Sequence, residues 1–140
     1  MPLFKKLIIK EVKRETKDAV SILFNIPEEF KSHYTFIAGQ YVNLRLTLDS
    51  KEIRRAYSIC SSSESGELRI AVKAIKNGAF SQFANTKLKV GDMLEVGKPE
   101  GKFTLETQSH NQKNYTAFVA GSGITPAISI LKSVLKSEPQ

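Results

Sequence analysis

Four consecutive residues, Arg55-Ala56-Tyr57-Ser58, set a permanent cation, an aromatic face and a hydroxyl within one short stretch of extended backbone. Alternate side chains of an extended chain share a face, so Arg55 and Tyr57 point one way and Ala56 and Ser58 the other. A guanidinium forks onto phosphate oxygens, and a neighbouring phenol ring can stack on a planar heterocycle. The trio suits a ligand with phosphate at one end and a flat polar ring at the other. The same residues also read as a solvated arginine beside a half-buried strand tyrosine, and four residues alone do not decide between the two.

Two glycine-containing turns carry related chemistry. Asn77-Gly78-Ala79-Phe80-Ser81 leads into a short helical pattern, where small residues let backbone approach a ligand and free amides bind anions. Ser81 can add a hydroxyl there, or simply cap an ordinary Asn-Gly turn. Gly121-Ser122-Gly123-Ile124-Thr125-Pro126 has the strand-turn-helix setting of a nucleotide site but lacks the third glycine of the dinucleotide fingerprint. Gly39-Gln40-Tyr41 and Pro99-Glu100-Gly101-Lys102-Phe103 read as turns that organise strands. Cys60 reads as a small buried side chain, and His33 and His110 fall in polar, loop-like surroundings with no role. One cysteine and two histidines cannot supply an iron–sulfur cluster or a structural zinc site, so no metal is expected here.

The elements that must position these residues are mostly strands. Val20, Ile22, Phe24 and Ile26 form one apolar row. Val42, Leu44, Leu46 and Leu48 alternate with Asn43, Arg45 and Thr47, the clearest period of two in the chain. Leu68, Ile70, Val72 and Ala74 repeat the pattern. Turn signals at Pro27, Ala38-Gly39, Asp49-Ser50, Asn77-Gly78 and Gly91-Asp92 separate these runs. Short strands at this spacing predict an antiparallel sandwich or barrel, with one short helix around residues 81–87. Residues 115–120 form an uninterrupted apolar run that predicts a strand buried on both faces, as in a parallel sheet. Thr125 as N-cap and Pro126 as first helical residue then open a helix whose apolar stripe is Ala127, Ile128, Leu131, Val134 and Leu135. A strand and a helix are half of a βαβ unit, so the expectation is a second, α/β domain of which this chain carries the beginning.

The 140 residues suffice for one core, and 41% hydrophobic against 25% charged residues is the balance of a globular chain. No run approaches bilayer-spanning length, and Lys5, Lys6 and Lys10 interrupt any secretory pattern at the N-terminus. The lone cysteine fits a reducing cytoplasm. A net charge of +7 is compatible with nucleic acid, an acidic partner or a polyphosphate. A basic barrel binding single-stranded nucleic acid and a cofactor-free docking barrel therefore stay open on composition alone.

Taken in order, Ala38-Gly39-Gln40-Tyr41-Val42, Arg55-Ala56-Tyr57-Ser58-Ile59-Cys60, Val72-Lys73, Gly78 with Ser81, Pro99-x-Gly101-x-Phe103 and Gly121-Ser122-Gly123-Ile124-Thr125-Pro126 resemble the ferredoxin–NADP reductase superfamily. Within it, Arg-Ala-Tyr-Ser-Ile-Cys with Gly-Ser-Gly-Ile-Thr-Pro is most similar to the reductases that serve phenylacetyl-CoA monooxygenases. The resemblance implies a mainly β fold: a six-stranded antiparallel Greek-key barrel with one short helix over residues 1–108, binding FAD. Residues 109–140 would be the first β-α unit of an incomplete NAD(P)-binding α/β domain. By the resemblance, Arg55 contacts the FAD pyrophosphate, Tyr57 stacks on the isoalloxazine with Ala56 beside it, and Ser58 lies near N5. Val72, Lys73 and Ala74 border the flavin, and Gly78, Ala79, Phe80 and Ser81 cradle the pyrophosphate. Gly121, Gly123, Thr125 and Pro126 open the nicotinamide-nucleotide site, with Thr125 near the flavin. The implied activity passes electrons from NAD(P)H through FAD to an oxygenase or ferredoxin-type protein, with any [2Fe-2S] centre in a C-terminal domain outside this chain. The implied partners exclude nucleic acid and membrane, and an unpaired strand at 115–120 would permit a homodimer.

Overall fold

A computed structural model describes residues 4–139. Six strands form one antiparallel sheet: β1 (Lys5–Thr16), β2 (Ala19–Asn25), β3 (Tyr41–Leu48), β4 (Lys51–Ser58), β5 (Leu68–Lys73) and β6 (Met93–Val96). Their order is β4-β3-β6-β1-β2-β5. A bridge between Ile59, just after β4, and Ile70 of β5 joins the two ends and curls the sheet into the expected barrel.

The period of two does the sorting. Val42 and Leu44 of β3 and Leu68, Ile70 and Val72 of β5 point inward and are fully buried, with Leu7, Ile9, Ile22 and Val96 opposite them. Each such side chain contributes about 2 kcal/mol by leaving water. The β3–β4 turn is Asp49-Ser50, both in the left-handed region (φ 48° and 62°), the backbone that two-residue hairpins favour. Strand β1 does not stand out by periodicity, because Lys and Glu occupy its outward positions and a register shift between Ile9 and Glu11 breaks the alternation. Helix α1 (Ala79–Thr86) plugs one end through Phe80 and Ala84. It begins at Ala79, two residues before the expected start, with Gly78 as its N-cap.

His33 departs from the loop reading. It lies in a 3-10 helix (Glu28–Tyr34), edge-on to Tyr34 at 4.9 Å, and its buried Nε2 has no hydrogen-bond partner among the described residues. Tyr34 is itself buried and donates its hydroxyl to the Val96 carbonyl at 2.7 Å.

The last third corrects three expectations. Residues 115–120 form no strand, and Phe118 and Val119 are exposed. An apolar run makes a buried parallel strand only where a neighbouring strand offers its ladder, and none of the six described strands does. Helix α2 (Ile124–Ser137) begins before Thr125, which does not cap it; its hydroxyl donates instead to the Ser122 carbonyl at 2.9 Å, and Pro126 lies in the first turn rather than at its first position. Of the apolar stripe, Ala127 alone is buried among the described residues. Ala127, Ser129 and Ser133 are the buried residues of α2, whereas Leu131 and Leu135 are exposed. Ser129 donates to the Ser61 carbonyl at 2.6 Å, Ser133 accepts from the Ser63 amide at 3.1 Å, and Lys132 Nζ donates to the Cys60 carbonyl at 3.3 Å. Cys60 itself is buried, as expected, and burial pushes its thiol up.

Glu138 ties the intervening segment to the end of α2. Its carboxylate accepts from the Tyr115 hydroxyl (2.7 Å), Asn111 Nδ2 (2.9 Å) and the Gln108 amide (3.3 Å). The Tyr115 and then the Asn111 hydrogen bonds hold its pKa below the ordinary carboxylate value. A folded-state pKa that is lowered gives a stabilisation complete above the unfolded pKa and lost as pH falls through the folded one. The protection of the amides across residues 108–115, relative to their intrinsic exchange, is therefore expected to be lost on acidification below the ordinary glutamate range. In Glu138→Ala that protection should be low at every pH; an unchanged acid response in that variant would place the switch elsewhere.

Candidate functional site

The end of β4 sets the polar trio. Its ladder with β3 pairs Leu44 with Arg55 and Val42 with Tyr57. Arg54 is neutralised by Glu52, Nε to Oε1 at 2.7 Å. Arg55 forms no ion pair with a described residue; it is exposed and donates Nη1 to the Arg54 carbonyl at 2.7 Å. Tyr57 is half-buried with its ring 5.4 Å from that of Phe80, tilted by 52°. Burial pushes its phenol up while Arg55 pulls it down, so the ring stays neutral at physiological pH.

The turn after β5 faces this strand. Gly78 N–H donates to the Ile75 carbonyl at 3.0 Å. Ser81 Oγ accepts from the Ile75 amide at 3.2 Å and donates to the Gly78 carbonyl at 3.3 Å. A Cβ on Gly78 would press on Ser81 Oγ and Ile75 Cγ1, so a side chain here would displace the hydroxyl that holds the turn. The serine hydroxyl expected to meet a ligand is spent on holding this turn.

Strand, turn and the start of α2 enclose a cavity of about 850 Å³. Arg55, Ala56, Tyr57 and Ser58 line one wall; Lys73, Gly78, Ala79, Phe80 and Ser81 line another; Gly121 and Thr125 close the third. Val72 and Ala74 are not in its lining: Val72 is fully buried in the barrel core, because it takes the inward phase of β5. Gly123 and Pro126 line instead a separate apolar groove of about 530 Å³ with Phe103, Phe118 and Leu131, a groove without a lysine or arginine.

The cavity also uses residues that carried no sequence signal. Ala19 and Ala71 keep one side shallow, and Ile75, Lys76, Asn77, Ser122 and Ile124 complete the rim. Ala71 could have been found as an outward-phase residue between Ile70 and Val72; Lys76 looks like any solvated lysine. Among the described residues the lining holds three cations, Arg55, Lys73 and Lys76, and no carboxylate. An aromatic face, a cationic rim, small residues and this volume fit a flavin nucleotide in size and charge.

Barrel and cavity together define a flavin-nucleotide domain of the ferredoxin–NADP reductase type. The chain belongs to the oxidoreductase FAD-binding domain family, whose model matches residues 6–105. It is 42% identical over its full 140 residues to one subunit of the 1,2-phenylacetyl-CoA epoxidase of Escherichia coli (strain K12), covering 39% of that protein. It is 37% identical over 131 residues to the ferredoxin reductase component of 3-ketosteroid-9-alpha-monooxygenase from Rhodococcus rhodochrous, covering 92% of this chain and 36% of that one. The chain thus spans under two fifths of the length of these relatives. Among solved structures it resembles a ferredoxin NADP+ reductase from Neisseria gonorrhoeae with bound FAD and NADP, at TM-score 0.66 and 26% identity, over 92% of this chain and 50% of the other. No helix among the described residues is long and apolar enough to cross a membrane.

Proposed function

We propose that the cavity holds FAD and that the chain is the flavin portion of an NAD(P)H-dependent electron-transfer oxidoreductase. The observation that carries this is the convergence of Arg55, Tyr57, Lys73 and Gly78 on one cavity with no acidic lining residue. In this reading Arg55 pairs with the pyrophosphate, Tyr57 supports the ring with Ala56 beside it, and Ser58 lies at its N5 edge. Lys73 borders the flavin from β5. Val72 in β5 and Ala74 just after it flank and place Lys73, since Val72 is buried in the core. The amides of Ala79, Phe80 and Ser81 face the phosphates at the start of α1. Gly121 and Thr125 form the side from which NAD(P)H approaches, with Gly123 and Pro126 shaping the loop behind them. A bound flavin accepts two electrons as hydride and passes them on singly, so the protein's part is positioning, shielding and charge. No general acid or base is required of the lining.

The names of the two relatives support an oxygenase, or a ferredoxin-type carrier, as electron acceptor, with phenylacetyl-CoA oxygenation as the particular case. In this reading residues 1–108 are the FAD barrel, residues 109–140 begin the NAD(P) domain, and any [2Fe-2S] centre belongs to a further domain of the longer relatives. The free, buried Cys60 suits a cytoplasmic setting. Unladdered residues 115–120 beside the apolar groove would support pairing of two copies. A nucleic-acid role is not favoured: Phe103 and Phe118, exposed aromatics, line the groove that lacks cations.

Mixing the chain with FAD tests the proposal, with flavin fluorescence and visible absorbance as readouts. Saturable uptake is expected, and Tyr57→Ala should weaken it by roughly tenfold, the worth of one aromatic stack. Wild-type chain that takes up no FAD would remove the reading. A Tyr57→Ala variant with unchanged FAD affinity but lower stability would confine Tyr57 to packing on Phe80.

A further inference from the structure

The turn over residues 75–78 is held more firmly than its exposure requires. Its closing bond, Gly78 N–H to the Ile75 carbonyl, is backed on one side by Ser81 Oγ, which bonds both the Ile75 amide and the Gly78 carbonyl. On the other side Gln82, which does not line the cavity, donates Nε2 to the Ile75 carbonyl at 2.7 Å. Between these clamps stands Asn77 in the left-handed region, φ 61°. The clamped turn carries Lys76 at the cavity rim, with no salt bridge to a described residue.

The charge of the cavity explains what such a clamp serves. A pyrophosphate presents charge along its length, and Arg55 reaches it from the β4 wall alone. Ser81 has no proton left to offer, because its hydroxyl is committed within the turn. Of the two lysines on the opposite wall, Lys73 belongs to β5, whereas Lys76 sits in the turn that runs directly into α1. A lysine ammonium on a flexible stem gains binding energy from phosphate in proportion to how well its backbone is fixed.

We infer that Lys76 contacts a phosphate of the dinucleotide and that Gln82 is a positioning residue that fixes Lys76 by clamping the 75–78 turn. This rests on the FAD reading of the cavity. Affinities of the 140-residue chain for FAD and for riboflavin, which has the ring and no phosphate, separate the two. Lys76→Gln is expected to weaken FAD by roughly five- to tenfold, more at low salt than at high, and to change riboflavin by less than about twofold. Gln82→Ala should show the same FAD-selective loss, and Gln82→Arg, which can still donate to the Ile75 carbonyl, should recover most of it. Because the two residues act through one contact, the double variant should be no weaker than the worse single one. Equal losses for both flavins, no loss in Lys76→Gln, or additive losses in the double variant would overturn this inference and leave the FAD reading intact. A wild-type chain that binds neither flavin would overturn both.

Discussion

Arg55→Gln is expected to weaken FAD binding by roughly tenfold to a hundredfold, the worth of one charge-assisted hydrogen bond to phosphate. The flavin-free chain should unfold within about 2 °C of the wild type. The asymmetry follows from what Arg55 does without ligand. It is exposed, forms no ion pair with a described residue, and bonds only the carbonyl of its neighbour. Arg54 supplies the internal control, since Glu52 already neutralises it and its guanidinium lies 5.9 Å over the ring of Phe4. Arg54→Gln should leave FAD affinity within about twofold. Titrations at low and high salt check the assignment. If the two arginine variants lose FAD equally, the effect is one of net charge and not of a phosphate contact.

Gly39→Ala is expected to destabilise the fold by about 2–4 kcal/mol, read from urea unfolding. Gly39 sits at the third position of the turn closed by Gln40 N–H and the Ile37 carbonyl (3.1 Å), with φ 102°. A side chain is strained at that φ wherever there is space. Here there is none: its Cβ would fall 1.8 Å from the Phe103 carbonyl oxygen and 3.3 Å from Ile130 Cδ1. The strap over residues 99–105 is tied to the same turn by Tyr41 N–H to the Glu100 carbonyl (2.9 Å) and Leu105 N–H to the Ala38 carbonyl (3.2 Å). The substitution should therefore also loosen α2, whose Ile130 Cδ1 lies against the same Cβ position. A loss below about 0.5 kcal/mol would show that the strap lies further off.

Most of the barrel is legible because one physical cause, burial of alternate side chains, writes both the sequence and the fold. Val42 and Leu44 or Leu68, Ile70 and Val72 announce strands in any reading. The Arg55–Tyr57 pair is legible for the same reason, since the alternation that buries Val42 also turns its partner Tyr57 toward the cavity. What escapes is set by contacts with distant residues. Apolar residues 115–120 look like a strand, but a ladder requires a neighbour. The stripe on α2 looks like the packing face, but the barrel offers it carbonyls and hydroxyls at residues 60–63, so Ser129 and Ser133 turn inward. Lys76 acquires meaning only when the 75–78 turn and β4 are seen across one cavity.

The joint between α2 and the barrel has a consequence for how the cavity can be entered. Hydrogen bonds made by Ser129, Ser133 and Lys132 are among the contacts that join the two, each worth about 1 kcal/mol net because water offers nearly the same bond. A greasy seam resists parting because hydrocarbon must be wetted; a seam of hydroxyls is indifferent to a layer of water. The wall that carries Gly121 and Thr125 thus adjoins a seam that tolerates water. Parting that seam would hydrate hydroxyls and carbonyls, so in the FAD reading a dinucleotide would enter or leave on this side at little cost to the barrel core.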